Sequence, residues 1–98
     1  MKSLPHNKTG LPDFTKKVVS VSIPGEEDAR CLEHPRWEEQ GGRLFLVGTV
    51  PHGCSTNDWC GGIAGAVAWE AVTDYMVFDS AEQYLERLRV YEGKKRKR

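Results

Sequence analysis

The chain of 98 residues has no apolar run near the roughly 18–20 residues that cross a bilayer as a helix. Its opening segment, MKSLPHNKTGLPDFTKK, lacks the apolar stretch of a secretory signal, so nothing there marks the chain for export. Three cysteines are an odd number and too few for a disulfide framework, which points to a reducing, cytoplasmic setting. Neither G-K-[ST] nor G-x-G-x-x-G occurs. The glycine-rich CGGIAG at 60–65 follows a loop, not a strand, so its glycines are expected to serve close backbone approach or a bulge and not a phosphate.

Apolar residues make up only 39 % of the chain, and the shortage lies at the two ends. Residues 1–16 combine Pro5, Gly10 and Pro12 with scattered Lys and show no periodicity, the composition of a mobile basic arm. Residues 93–98 close on KKRKR, read as a second disordered basic segment. Between them, residues 17–92 hold all three Trp and all three Tyr, enough for one modest core and a single domain.

The formal net charge of zero conceals a segmental imbalance. Residues 18–93 carry five Arg against thirteen Asp and Glu, a net of −8, while the ends are cationic. An acidic globule repels nucleic-acid phosphates and attracts basic surfaces within about 8–10 Å. The KKRKR run has no aromatic residue interleaved for base stacking, which disfavours nucleic acid as the partner.

KVVSVSI at 17–23 alternates, with Val19, Val21 and Ile23 on one face and Ser20 and Ser22 on the other, the pattern of a half-buried strand ended by Pro24-Gly25. Glu26, Glu27 and Asp28 suit the first turn of a short helix over 26–34 that Pro35 stops. Trp37 then folds back as a lid, and Gly41-Gly42 turns the chain into RLFLVGTV at 43–50, apolar on both faces and so a covered strand. A long polar loop, PHGCSTNDWCGG, follows at 51–62. AVAWEAV at 66–72 fits a strand better than a helix, and YMVF at 75–78 is a further strand. Ser80 with Gln83 forms a capping box ahead of Ala81, Tyr84, Leu85 and Leu88, one apolar stripe of a helix that Gly93 ends. The expected fold is α+β, a three- to four-stranded antiparallel sheet with this C-terminal helix packed on one face.

Two groups of residues could carry chemistry. Cys31 and His34 are spaced C-x-x-H, and His52, Cys54 and Cys60 lie in the long loop; together they offer the soft ligands that tetrahedral zinc requires. The loop has no C-x2-C knuckle, however, and the two sets would have to meet in space. His52 could also serve as base to a nucleophilic Cys54 or Cys60 with Asp58 as its orienter, though thiol enzymes draw such groups from separate rigid elements. No cofactor is therefore assigned. The reading favoured is a small non-enzymatic binding or regulatory protein, inhibitor- or immunity-like, that engages a basic protein surface. Glu33, Glu38 and Glu39 around Trp37, and Asp58 beside Trp59, are the expected contacts, since charges speed encounter and a desolvated indole supplies affinity. An uncovered outer strand would also let two copies join edge to edge.

Overall fold

A computed structural model describes residues 10–26 and 28–96, with side chains described as far as residue 92. It contains β1 (Val18–Ser22), β2 (Arg30–Gln40), β3 (Arg43–Thr49), β4 (Ala64–Ala68), β5 (Asp74–Phe78) and α1 (Ala81–Arg96). The strands form one antiparallel sheet in the order β4-β3-β2-β1-β5. The α+β class holds, but the sheet has five strands where three or four were expected. The additional strand is β2, laid over residues assigned to a short helix and a folded-back Trp.

Competition for backbone partners explains β2. The strand at 18–22 needs neighbours on both sides; it pairs Val19 with Leu32 and Ser20 with Cys31 on one edge, and Val19 with Val77 on the other. Cys31 and Leu32 are consecutive and both buried, so they face opposite sides of the sheet, each under a cover. No helix face buries two such neighbours against two separate layers. Glu26 and Asp28, two of the carboxylates that suggested a helix start, lie in the turn ahead of β2 instead, where Glu26 pairs with Arg30 at 2.8 Å.

Between Glu33 and Arg36 the register of β2 slips, with His34 in the left-handed region at φ 55° and Pro35 beside it. Such a bulge bends a strand and increases its twist. The first half of β2 thus pairs with β1 and the second half with β3. The bend brings the Glu33 carbonyl over Gly48, where a Cβ would stand 2.7 Å from that oxygen, and the Leu32 side chain over both Gly48 and Gly65. Only glycine leaves room at position 48.

The sheet is rolled. β4 and β5 are its opposite edges, yet residues 69–73 alone connect them. Four strand spacings of about 4.8 Å put the edges of a flat sheet about 19 Å apart. A link that includes the 3-10 turn Trp69–Ala71 reaches about 16 Å. Curling closes the difference and encloses the core, formed by Phe14, Val19, Val21, Leu32, Leu46 and Val67. Trp37, Trp69 and Tyr75 pack around it, with Trp37 and Trp69 edge to face at 5.0 Å and Phe14 contacting all three at 5.2–6.3 Å.

Phe14 comes from the segment read as a mobile arm. That expectation meets the described residues only from Gly10 onward, and there Pro12 and Phe14 are buried. The Trp37 indole N–H donates to the Pro12 carbonyl at 3.1 Å, and Lys17 N–H to the Phe14 carbonyl at 2.9 Å. Residues 1–9 and 97–98 of the expected arm and tail lie outside the described residues.

α1 packs on the other face of the sheet, with Tyr84 edge to face on Phe78 at 5.2 Å. Ser20, expected on a wet face, is 4 % exposed because that face is covered as well. The capping box forms: Gln83 N–H donates to Ser80 Oγ at 3.1 Å, and the Gln83 side-chain Oε1 reaches back to accept Asp79 N–H, one residue ahead of Ser80, at 2.7 Å. The helix does not stop at Gly93 but continues to Arg96. A glycine in a helix interior costs only about 1 kcal/mol, and the basic residues 94–96 suit a helix C-terminus.

Phe14→Ala is expected to cost about 3–5 kcal/mol, through lost transfer energy and the cavity left among the three aromatics. In a domain this small that is much of the total stability. Urea unfolding followed by Trp fluorescence measures it; a loss under 1 kcal/mol would show that Phe14 is not part of the core.

Candidate functional site

The loop from β3 to β4 gathers most of the residues to which chemistry was assigned. Its base is closed by Val50 N–H to the Ile63 carbonyl at 2.9 Å and by Gly62 N–H to the Val50 carbonyl at 2.8 Å, and Pro51 is fully buried beneath it. Within the loop, Asp58 is the hub. One carboxylate oxygen accepts Gly53 N–H at 2.9 Å and the other lies 2.9 Å from His52 Nδ1. The Gly53 amide first, and the His52 ring second, hold the Asp58 carboxyl below the usual carboxylate range. To make this turn Asn57 and Asp58 both take positive φ, a conformation Asn and Asp tolerate better than most residues. A methyl on Gly61 would collide with the Asp58 carboxylate and the His52 ring, so the Gly61-Gly62 pair exists to let the loop fold on itself.

The structure separates the expected contact residues. Asp58 and Trp59 project from the loop, and the Trp59 indole is 78 % exposed. Glu33 pairs with Thr49, next to the start of the loop, and is half-buried. Glu38 and Glu39 are exposed but pair with Phe45 and Leu44, about 14 Å or more along the strand from Thr49. They also point to opposite faces of β2. Trp37 is half-buried, with its ring in the aromatic cluster and its N–H satisfied by Pro12. It is a structural residue of the core rim, and the carboxylates around it form no single patch.

The thiols converge in part. Cys31 on β2 and Cys54 in the loop lie within hydrogen-bonding reach of each other beneath α1, and Cys54 Sγ also donates to the Pro51 carbonyl at 3.1 Å. All three cysteines are free. Among the described residues no three His, Cys, Asp or Glu side chains form a group that could hold a metal ion. Burial raises both thiols above the ordinary range; Cys54 adds to the rise at Cys31, and Cys60 to that at Cys54, where the hydrogen bond with Cys31 acts the other way. A thiol so raised is protonated at neutral pH, whereas a nucleophilic cysteine needs its thiolate. His52, turned toward Asp58, has the orienter a general base requires, but the cysteine at hand lacks activation.

Three features go further than the sequence reading: the aromatic cluster, the choice of Cys54 as the loop thiol that meets Cys31, and β4 as a strand whose outer edge is uncovered. Apart from Trp69 and Tyr75, the first two join residues 23 or more positions apart that no local pattern connects. The third depends on strand order. No protein-family model matches the chain, and no curated protein or solved structure is significantly similar to it.

Tyr84 reports on the layer between α1 and the sheet. Burial, then the Cys31 and Cys54 thiols and the Glu92 and Asp28 carboxylates, push its phenol up to about 12 from an ordinary 10.0. Because the folded value is the higher one, the stabilisation is complete below about pH 10 and is lost as pH rises toward 12. Absorbance titration at 295 nm should show a late component that Tyr84→Phe removes, with the unfolding midpoint falling over the same window. A single transition near 10 would mean that the layer is open to water.

Proposed function

We propose that this chain is a small non-enzymatic protein-binding module, regulatory in the manner of an inhibitor or immunity protein, whose contact surface is centred on Trp59. The observation that carries this reading is the exposure of that indole, 78 %, on a loop that is otherwise tied down by the Asp58 hub. A large aromatic side chain left in water on a braced support is what an interface anchor needs: much apolar area, little entropy to lose, and a polar rim supplied by Asp58 and His52. Burying an indole against a partner yields more per residue than any carboxylate at the rim, so the acidic residues serve encounter and orientation. The original contact set contracts to Asp58, Trp59 and the neighbouring Glu33. Glu38 and Glu39 remain as long-range attraction toward a basic partner, and Trp37 drops out because the fold already uses it.

The test is quantitative capture of partner from the native cell by the full chain at low salt. Trp59→Ala should lower capture by about 30-fold or more, as loss of an interface anchor does, with an unchanged thermal unfolding curve. Equal capture by both proteins would remove Trp59 from the interface. The cysteine-enzyme alternative makes the opposite demand of the thiols. Iodoacetamide at neutral pH should label Cys54 no faster than free cysteine, and a rate far above it would instead identify a catalytic thiolate.

A further inference from the structure

The outer edge of β4 is bare. β4 pairs with β3 and with nothing else among the described residues. Native proteins protect such edges with charges, proline or bulges. β4, with the sequence Ala64-Gly65-Ala66-Val67-Ala68, has none of these, and its register with β3 is continuous.

Hydrogen-bond phase shows which groups the edge presents. Gly41 and Gly42 both have positive φ and form a two-residue turn, so Gln40 and Arg43 close the β2–β3 hairpin as a hydrogen-bonded pair. Alternation along β3 then directs the backbone of Val47 toward β2 and that of Leu46 and Gly48 toward β4. Their partners Val67 and Gly65 are thereby satisfied. The N–H and C=O groups of Ala64, Ala66 and Ala68 point away from β3, along the open edge. Val50 N–H to the Ile63 carbonyl, one residue outside β4, follows the same alternation.

We infer that this edge is the contact between two copies of the chain, joined antiparallel at β4 about a two-fold axis through Ala66. The three outward-facing positions read Ala-x-Ala-x-Ala in either direction, so the two-fold sets Ala66 against Ala66 and Ala64 against Ala68 of the second copy. Gly65 then faces Val67 of the second copy, a small residue opposite a branched one. No charge lies in the strand, so self-pairing opposes no like charges. At the end of the shared ladder Ile63, 57 % exposed, comes beside residue 69 of the second copy and loses its exposure to water. The two-fold is closed at β4: it uses the one free edge of β4 in each copy, so this contact cannot add a third chain. This inference is independent of the Trp59 reading, since Trp59 lies outside the ladder.

Sedimentation of the full chain across a range of concentrations, with amide hydrogen exchange at low and high concentration, tests it. A monomer–dimer equilibrium is expected, together with protection of the Ala64, Ala66 and Ala68 amides that grows with concentration. Ala66→Lys, which keeps the backbone and sets two charges face to face, should weaken association at least tenfold. Ala66→Pro should do the same by removing the central N–H, with the circular dichroism of both variants unchanged. Trp59→Ala should leave the dimer intact. A chain that stays monomeric at every concentration would overturn the inference. So would a dimer unaffected by Ala66→Lys but dispersed by Tyr91→Ser on the exposed side of α1.

Discussion

The close approach of the Glu33 carbonyl to Gly48 sets the shape of this molecule. It occurs because the bulge at His34–Pro35 bends β2 and because position 48 has no side chain to resist. A straight β2 would leave Leu32 and Leu46 on a broad, open face with too few partners to exclude water. Bent, the strand serves two halves of the sheet at once, and Leu32 lies over Gly48 and Gly65 while its neighbour Cys31 is covered from the other side. The roll of the sheet, the short passage from β4 to β5, and the meeting of Trp37, Trp69 and Tyr75 around Phe14 all follow from that bend.

The β3–β4 loop depends on the same geometry in a less direct way. Its base, at Val50 and Ile63, continues the ladder of the rolled half, and Gly53 lies beside α1, where an added Cβ would meet the Leu85 side chain at 3.6 Å. The loop is thus gripped between the sheet and the helix, and its free part is organised by one carboxylate. Polar loops of this length are held by whatever internal bonds they can make. Here a carboxylate accepting a backbone N–H and facing an imidazole turns a string of turn-forming residues into a support for an indole.

How much of this was legible in the sequence depended on range. The capping box at Ser80, the alternation of 17–23 and the apolar run at 43–50 are local patterns; the two strands appeared within a residue of the expected bounds, while the helix ran past its expected stop at Gly93 to Arg96. Residues 30–40 were misread because acidic residues ahead of an apolar pair resemble a helix start. Only the needs of β1 decide otherwise, and those needs are non-local. Phe14 was misread because one aromatic residue among Pro, Gly and Lys has no periodicity, while its partners lie 23 to 61 positions away. At the site, the exposure of Trp59 was legible from its polar neighbours. A place for Trp37 over the core was expected too, but not its hydrogen bond to the Pro12 carbonyl, which no local pattern connects to it.

The central position of β1 bears on how the chain acquires its shape during synthesis. β1 precedes the other four strands in the chain, yet one of its two neighbours is β5, and the Phe14 ring ahead of it is enclosed by Trp69 and Tyr75. The β2–β4 meander can assemble as it emerges. The core cannot close until β5 is present, so sequence-distant contacts govern the last step and folding is slow relative to that of a helical bundle of equal size. Until then the nascent protein presents an unsealed aromatic pocket and a strand with one side vacant, the apolar surface and unpaired edge that make incomplete folds prone to aggregate.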